Sequence, residues 1–431
     1  MKNELYEDTL ERLERHQIAG IPKHEKEIHP FYKGYSIANL PASILRWLEV
    51  PPPLDNPLAD EILKNFHERY KHIFLLIVDG LRLEIFERFQ REVLKNNYYQ
   101  EWKAILERGC LLPLTSIAPS TTSAALTTFW TGRLPAEHGV IGYELFLKEF
   151  GVTANMIFHS VASFVDEPGS LYRAGFNPDA FLPVPTLGPL FNRHGVKAFA
   201  FQHNSIASSG LSQMLLKGAV NLSFQTLEDL WRSVLTVTQN NTSINTYSYI
   251  YWGNLDTLSH REGPQSPQVY EEWLGFAKPL AQFLMTLSAS GIKDSLFILT
   301  ADHGQISAEI NPSYELRHHP EFTSHLVLMP TGESRLPYLF IKNGHECEVE
   351  DYLHHYWDGH FSLMPSPEVL SAGLLGHATP HFSTLDRTGT HIVFPKENAY
   401  WWWVNKENHL LGRHGGLSKD EMLVPFFSFE I

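Results

Sequence analysis

Residues 72–80 read HIFLLIVDG. Ile73 to Val78 follow one another without the polar alternation of a half-exposed strand. A short unbroken apolar run of this kind is a strand covered on both faces, as in a parallel sheet flanked by helices. Comparable runs recur at CLLPLTSIA (110–118), VKAFAF (196–201), TYSYIYWG (246–253) and DSLFILTADHG (294–304). Between them lie helical patterns, LRLEIFERFQREVLKN (81–96) and QVYEEWLGFAKPLAQFLMTLSAS (268–290). Strands alternating with helices predict an α/β fold with a mostly parallel sheet flanked by helices.

Outside this alternation the character changes. Residues 1–70 read as a helix followed by the Pro-rich VPPPLDNPLADE (50–61), an extension expected to pack on the core. The catalytic core is expected over 71–311. Residues 312–390 are rich in His, Pro and Gly and read as an inserted cap subdomain. Within 391–431, THIVFPK, AYWWWVN and MLVPFFSFE are expected to be late strands that complete the core.

The 431 residues are 43% hydrophobic and 19% charged, enough for a packed globular core. A net charge of -14 argues against broad nucleic-acid or anionic-membrane binding. Two isolated cysteines, Cys110 and Cys347, make neither a disulfide framework nor a thiolate metal site. The opening residues lack the apolar core of a signal peptide, and no stretch is long and apolar enough to span a bilayer. These features predict a soluble cytoplasmic protein. The surplus is histidine, at 23 residues.

Acids and imidazoles gather where the strand runs end. LLIVDG ends in Asp79, FILTADHG in Asp302 and His303, and YIYWGNLDTLSH in Asp256 and His260. GRHGGLSKDEMLVPFF adds His414. An Asp after a strand is most often a turn or cap residue, and a lone His-Gly is most often a turn. Together, however, they would sit at the carboxyl edge of the sheet, where α/β proteins bind ligands. Carboxylates converging without basic partners repel one another, and divalent cations remove the conflict. Oxygen and imidazole donors without thiolate suit zinc, with manganese the rival.

The same edge receives APSTTSAALTTFWTGRLPAEHGV (118–140), with five threonines and two serines. The plain reading is a capped, buried helix. The sharper reading is that one hydroxyl, among Thr121, Thr122 and Ser123, is a nucleophile on a first helical turn, beside the positive end of the helix dipole and a metal.

These motifs resemble the alkaline phosphatase superfamily, and most of all its type I phosphodiesterase/nucleotide pyrophosphatase branch. The resemblance rests on IVDG, PSTTSAALTTFWTGRLPAEHGV, LDTLSHREGP, TADHG and HGGLSKDEMLVP, in that order. The ending resembles PglZ-type domains of the same superfamily. The resemblance implies a two-metal phosphodiesterase that acts on a small phosphoester or nucleotide-like substrate through a phospho-threonine. It puts the nucleophile on Thr122. One metal falls to Asp79, Thr122, Asp302 and His303, the other to Asp256, His260 and His414. It also implies an Asn three residues after the nucleophile, where Ala125 stands. A phosphomonoesterase, a phosphomutase and an inactive binding module are the alternatives. Three features are expected to be structural first and functional second: YWWWV (400–404) as cap packing, His318, His319 and His325 as loop residues, and Arg82 and Arg261 as surface cations.

Overall fold

The computed structural model describes residues 4–96, 99–162, 167–377 and 379–431. A seven-stranded sheet forms its centre. From one edge to the other the strands are Cys110–Thr115, Leu423–Glu430, Ser295–Thr300, His72–Val78, Thr246–Trp252, Lys197–His203 and Val220–Phe224. Leu423–Glu430 runs antiparallel to both neighbours. The pairs among the other five neighbouring strands are parallel. The central strands His72–Val78, Thr246–Trp252 and Ser295–Thr300 are buried at every position, which is why their sequences show no alternation. Helices Leu83–Lys95 and Pro267–Ala289 cover the sheet through Phe86, Phe89, Trp273 and Phe276.

A second, wholly antiparallel seven-stranded sheet stands beside the first. It draws strands from two separate parts of the chain. Glu144–Leu147, Val152–Asn155 and Ser160–Val161 come soon after the hydroxyl-rich segment. Thr331–Glu333, Leu336–Leu339, Phe361–Pro365 and His391–Pro395 come from the far side of the chain. This sheet has an aromatic core of its own, with Phe322, Trp357, Phe361 and Trp401.

Two details differ from the sequence expectation. His391–Pro395 pairs in the second sheet and not in the main one. An apolar run announces a strand but does not say which sheet receives it. Residues 399–405 form no strand; Tyr400 and Trp401 are fully buried, with the Tyr400 hydroxyl donating to Glu309 O and Trp401 N–H to Ser334 O. The extension over residues 4–70 meets the edge strand Cys110–Thr115, where Phe31 N–H donates to Thr115 Oγ1 at 3.0 Å and Thr115 N–H to Tyr35 O at 2.9 Å. No helix among the described residues is long and apolar enough to cross a membrane, and both cysteines are free.

The strand Leu423–Glu430 is fastened by Phe427, which is 1% exposed and packs on Phe86 and Trp102 at ring separations of 5.5 and 6.1 Å. Phe427→Ala is therefore expected to cost about 3–5 kcal/mol of folding stability, as burying an aromatic-sized cavity does. Urea unfolding monitored by circular dichroism measures it, and a loss below about 1 kcal/mol would contradict this packing account.

Candidate active site

The sheet register builds the site. His72–Val78 and Ser295–Thr300 pair with Ile77 opposite Thr300. Two residues further on, Asp79 and Asp302 leave the sheet side by side. Thr246–Trp252 pairs with Val78 opposite Trp252, and Asp79 N–H donates to Trp252 O at 2.9 Å. The chain then turns into helix Asn254–Glu262, which carries Asp256 in its first turn and His260 in its last. Gly80 has φ +72°, and a Cβ there would lie 3.1 Å from Asp256 Cα. A glycine after Asp79 lets the third acid come close.

The acids are each half satisfied. Asp302 Oδ1 accepts from Gly80 N–H at 3.3 Å and His303 N–H at 3.0 Å. Asp79 Oδ2 accepts from the Tyr251 hydroxyl. The other oxygens, Asp79 Oδ1 and Asp302 Oδ2, are buried without a hydrogen-bond partner. Each lies 3.5 Å from His303 Nε2. Burial, followed by the charges of Asp256 and Asp302, pushes the Asp79 carboxyl well above its ordinary range. Asp302 is raised mainly by burial, against the pull of His303.

The imidazoles are oriented by carbonyls. His303 Nδ1 contacts Gly304 O at 3.0 Å, His260 Nδ1 contacts Gly412 O at 2.8 Å and His414 Nδ1 contacts Ser120 O at 3.1 Å. A carbonyl only accepts, so each Nδ1 donates its N–H to it, which turns each Nε2 towards the acids. His260 Nε2 is 3.5 Å and His414 Nε2 3.9 Å from the Asp256 carboxylate. Burial, then the neighbouring His303 and His260, holds the His414 imidazole well below its usual range. Two ligand groups converge within cation reach: Asp79, Asp302 and His303; and Asp256, His303 and His414. His303 belongs to both, while His260 joins through its contact with Asp256. Orphaned carboxylate oxygens and outward-facing Nε2 atoms fit hard-to-borderline divalent ions.

The hydroxyl run sorts itself. Thr127 and Thr131 donate back to carbonyls one turn earlier, at 2.7 Å each. Ser123 donates to Gly142 O at 2.8 Å, Ser120 to Gly416 O at 2.7 Å and Thr121 to Glu333 Oε1 at 2.6 Å. Thr128 meets His138 at 3.0 Å. Thr122 is the hydroxyl that faces the acids, 3.1 Å from His303 Nε2, at the first position of helix Thr122–Thr131.

A cleft of about 720 Å³ opens over these groups. Asp79, Thr122, Asp256, His260 and His414 line its floor, and Tyr143, Phe158, Glu333 and Trp403 line its walls. Both sheets therefore contribute. Trp401 packs inside the second core against Phe361, and Trp402 lies against Arg413. Both border the cleft together with Trp403, whose Nε1–H is held by Glu144 at 3.0 Å. Arg82 is buried and bound to Glu84, Asp420 and Pro264 O; Arg261 pairs with Glu262. His319 is tied to Tyr352 and Ser313 O, His325 to His345, and His318 lies near Glu315. None of these lines the cleft.

Sequence reasoning missed Tyr251, Gln305 and Glu333. Tyr251 is one residue from the end of its strand and was hidden in an aromatic run. Gln305 follows the ADHG motif directly, and its side-chain amide donates to the Asp256 carboxylate. Glu333 lies 212 positions from its partner Thr121, and no local signal marks it.

An acid- and histidine-floored cleft at the carboxyl edge of such a sheet is that of a phosphoester hydrolase of the alkaline phosphatase superfamily. The chain belongs to the type I phosphodiesterase/nucleotide pyrophosphatase family, whose profile it matches over residues 73–416. Among solved structures, murine ectonucleotide pyrophosphatase/phosphodiesterase 5 is similar with a TM-score of 0.62 at 17% identity, covering 83% of this chain and 88% of its own. An inactive threonine-to-alanine variant of that protein, in complex with AMP, gives a TM-score of 0.61 at 16% identity, with 83% and 87% covered. Phosphonoacetate hydrolase from Sinorhizobium meliloti 1021, in complex with phosphonoformate, gives a TM-score of 0.60 at 16% identity, with 84% and 90% covered. These likenesses establish the fold. No curated sequence matches the chain.

Burial pushes the Glu333 carboxyl up to about 8. A raised carboxyl holds its proton more tightly folded than unfolded. Its contribution is therefore complete below the unfolded value of about 4.5 and is lost as pH rises towards about 8. Glu333→Gln keeps an acceptor for Thr121 and cannot ionise. In chelator-treated protein, its melting temperature should gain on wild type steadily between pH 5 and pH 8.5. A constant difference across that range would show that Glu333 does not titrate there.

Proposed function

We propose that this protein hydrolyses phosphodiesters with Thr122 as its nucleophile. The observation that carries the reading is the isolation of Thr122 Oγ1: its neighbours' hydroxyls serve the fold, while it faces His303 Nε2 at 3.1 Å beside two partnerless carboxylate oxygens. Inactivation of the murine relative by a threonine-to-alanine change supports it.

Two divalent ions fit the donor set. Asp79, Asp302 and His303 would hold one together with Thr122, and Asp256, His260 and His414 the other. Three imidazoles with carboxylates and no thiolate favour zinc over manganese. Bound ions would lower the pKa of the hydroxyl and neutralise charge developing at phosphorus. The chain supplies the rest. Thr122 Oγ forms a bond to phosphorus as the P–O bond to the departing alkoxide breaks in line, and the proton lost from Oγ ends on that alkoxide, which leaves as the alcohol. Water then cleaves the phospho-threonine. The first turn of helix Thr122–Thr131 offers backbone N–H groups without intrahelical partners to a phosphoryl oxygen. That supplies a donor where Ala125, buried and apolar, cannot.

Preference for diesters follows from room and charge. A monoester brings a second negative charge, which needs an uncommitted cation. Of the two Lys and Arg side chains on the cleft among the described residues, the Arg413 guanidinium is already bound to Asn408 and lies over Tyr400, and Lys406 has the Glu144 carboxylate as its neighbour. A diester needs space for a second organic group, and the cleft has it, walled by the second sheet and Trp403. We read residues 144–161 and 312–395 as one lobe with this task.

Thr122→Ala should lower kcat by at least about a thousandfold and leave the melting temperature nearly unchanged, because it opens little cavity. Thr122→Ser should retain part of the activity. Full activity in Thr122→Ala would rule out the covalent route.

Purified protein should carry close to two equivalents of divalent metal, and chelation should abolish turnover reversibly. With zinc restored, kcat/KM for a nitrophenyl ester of thymidine monophosphate should exceed that for nitrophenyl phosphate by at least about tenfold, or ~1.4 kcal/mol. A reversed preference with both zinc and manganese would make the protein a phosphomonoesterase.

A further inference from the structure

The hairpin formed by Thr331–Glu333 and Leu336–Leu339 belongs to the second sheet, yet its tip reaches both halves of the site in the first. Glu333 Oε1 accepts from Thr121 Oγ1 at 2.6 Å, one residue before the nucleophile, and from Tyr143 N–H at 2.7 Å. Two residues later, Arg335 makes a two-pronged pair with Glu421: Nε to Oε1 at 3.1 Å and Nη2 to Oε2 at 2.9 Å. Arg335 also donates to Ala399 O. Glu421 in turn accepts from Gly416 N–H at 2.9 Å and Ser418 N–H at 3.2 Å, both in the loop that follows His414. Arg335 is 2% exposed and Glu421 is fully buried.

The loop is packed between the hairpin tip and the nucleophile turn. Gly415 has φ +112°, and a Cβ there would lie 2.5 Å from Glu333 Cβ. A Cβ on Gly416 would lie 2.9 Å from the Glu421 carboxylate. On the opposite side, Ser120 Oγ donates to Gly416 O at 2.7 Å and accepts from Gly415 N–H at 3.2 Å. This contact explains the two glycines that follow His414.

A buried ion pair is a poor source of stability, since apolar side chains of the same volume serve as well. What the fork supplies is geometry, because both oxygens of Glu421 are fixed in direction by Arg335. We propose that Glu333 and Arg335 are positioning residues: through them the second lobe sets where Thr122 stands relative to His414. The proposal rests on the two-ion reading above. Arg335 governs the ligand group around His414, and Glu333 governs the nucleophile turn.

The test is zinc uptake by chelator-treated protein, followed by equilibrium dialysis, with kcat and KM measured alongside. Arg335→Lys keeps the charge but loses the fork. It should bind the first equivalent as wild type does and the second about ten- to a hundredfold more weakly, the range for displaced outer contacts of metal ligands. Arg335→Met leaves Glu421 buried and alone and is liable to unfold. The double variant Arg335→Met/Glu421→Leu removes both charges and should fold with the same selective loss. Glu333→Ala should keep both equivalents and lose kcat with KM unchanged, and Glu333→Gln should restore kcat. Wild-type affinity for both equivalents in Arg335→Lys or in the double variant overturns the clamp. So does an unfolded double variant, because the pair would then be holding the fold and not the loop. Fewer than two equivalents in the wild type overturns the two-ion reading itself, and the clamp with it.

Discussion

The repulsion among Asp79, Asp302 and Asp256 is the constraint on which the site depends. Parallel strands in fixed register deliver Asp79 and Asp302 to the same level, and Asp256 follows at the start of the next helix. None of the three has a Lys or Arg partner among the described residues; their ion-pair neighbours are imidazoles. In a buried setting such a trio is costly unless a proton or a cation neutralises it. The fold does not relieve the conflict with its own side chains. It holds the acids in place with backbone N–H groups, Tyr251 and Gln305, and leaves two oxygens open. Histidines locked with Nε2 outward complete the same design.

Charge and hydroxyl chemistry meet because one helix starts at the sheet's carboxyl edge. Every other hydroxyl in the 120–131 run is spent on carbonyls, a histidine or Glu333, which fixes the turn and helix rigidly. Rigidity suits the attack proposed for Thr122, since an attacking oxygen must stand within a fraction of an ångström of its line of approach. The second sheet adds walls to the cleft above these groups.

The main sheet and its acids were legible because burial on both faces writes itself into consecutive residues, and because ligand positions follow strand ends. Asp79, Asp256, His260, Asp302, His303 and His414 all stand beside such landmarks. The second sheet was not legible in the same way. Its strands Glu144–Leu147 and Val152–Asn155 are short and only partly buried, and Thr331–Glu333, the partner of the first, lies far along the chain. Glu333 and Arg335 were invisible for that reason: each acquires its meaning from a contact 212 or 86 positions away. The tryptophan run announced apolar burial but not its division: all three rings border the cleft, Trp401 packed on Phe361, Trp402 against Arg413 and Trp403 held by Glu144.

The placement of Leu423–Glu430 has a consequence for biosynthesis. This strand sits between Cys110–Thr115 and Ser295–Thr300, and Cys110–Thr115 pairs with no other strand of the main sheet. The segment leading into the Thr122 helix therefore waits for residues made some three hundred positions later before its strand can dock. At ribosomal elongation rates of about 5–20 residues per second, that gap lasts on the order of tens of seconds. Once residue 300 has been made, the edge of Ser295–Thr300 that Leu423–Glu430 will cover stays unpaired until that strand follows. The main sheet, and the cleft at its carboxyl edge, is thereby completed only by residues 423–430.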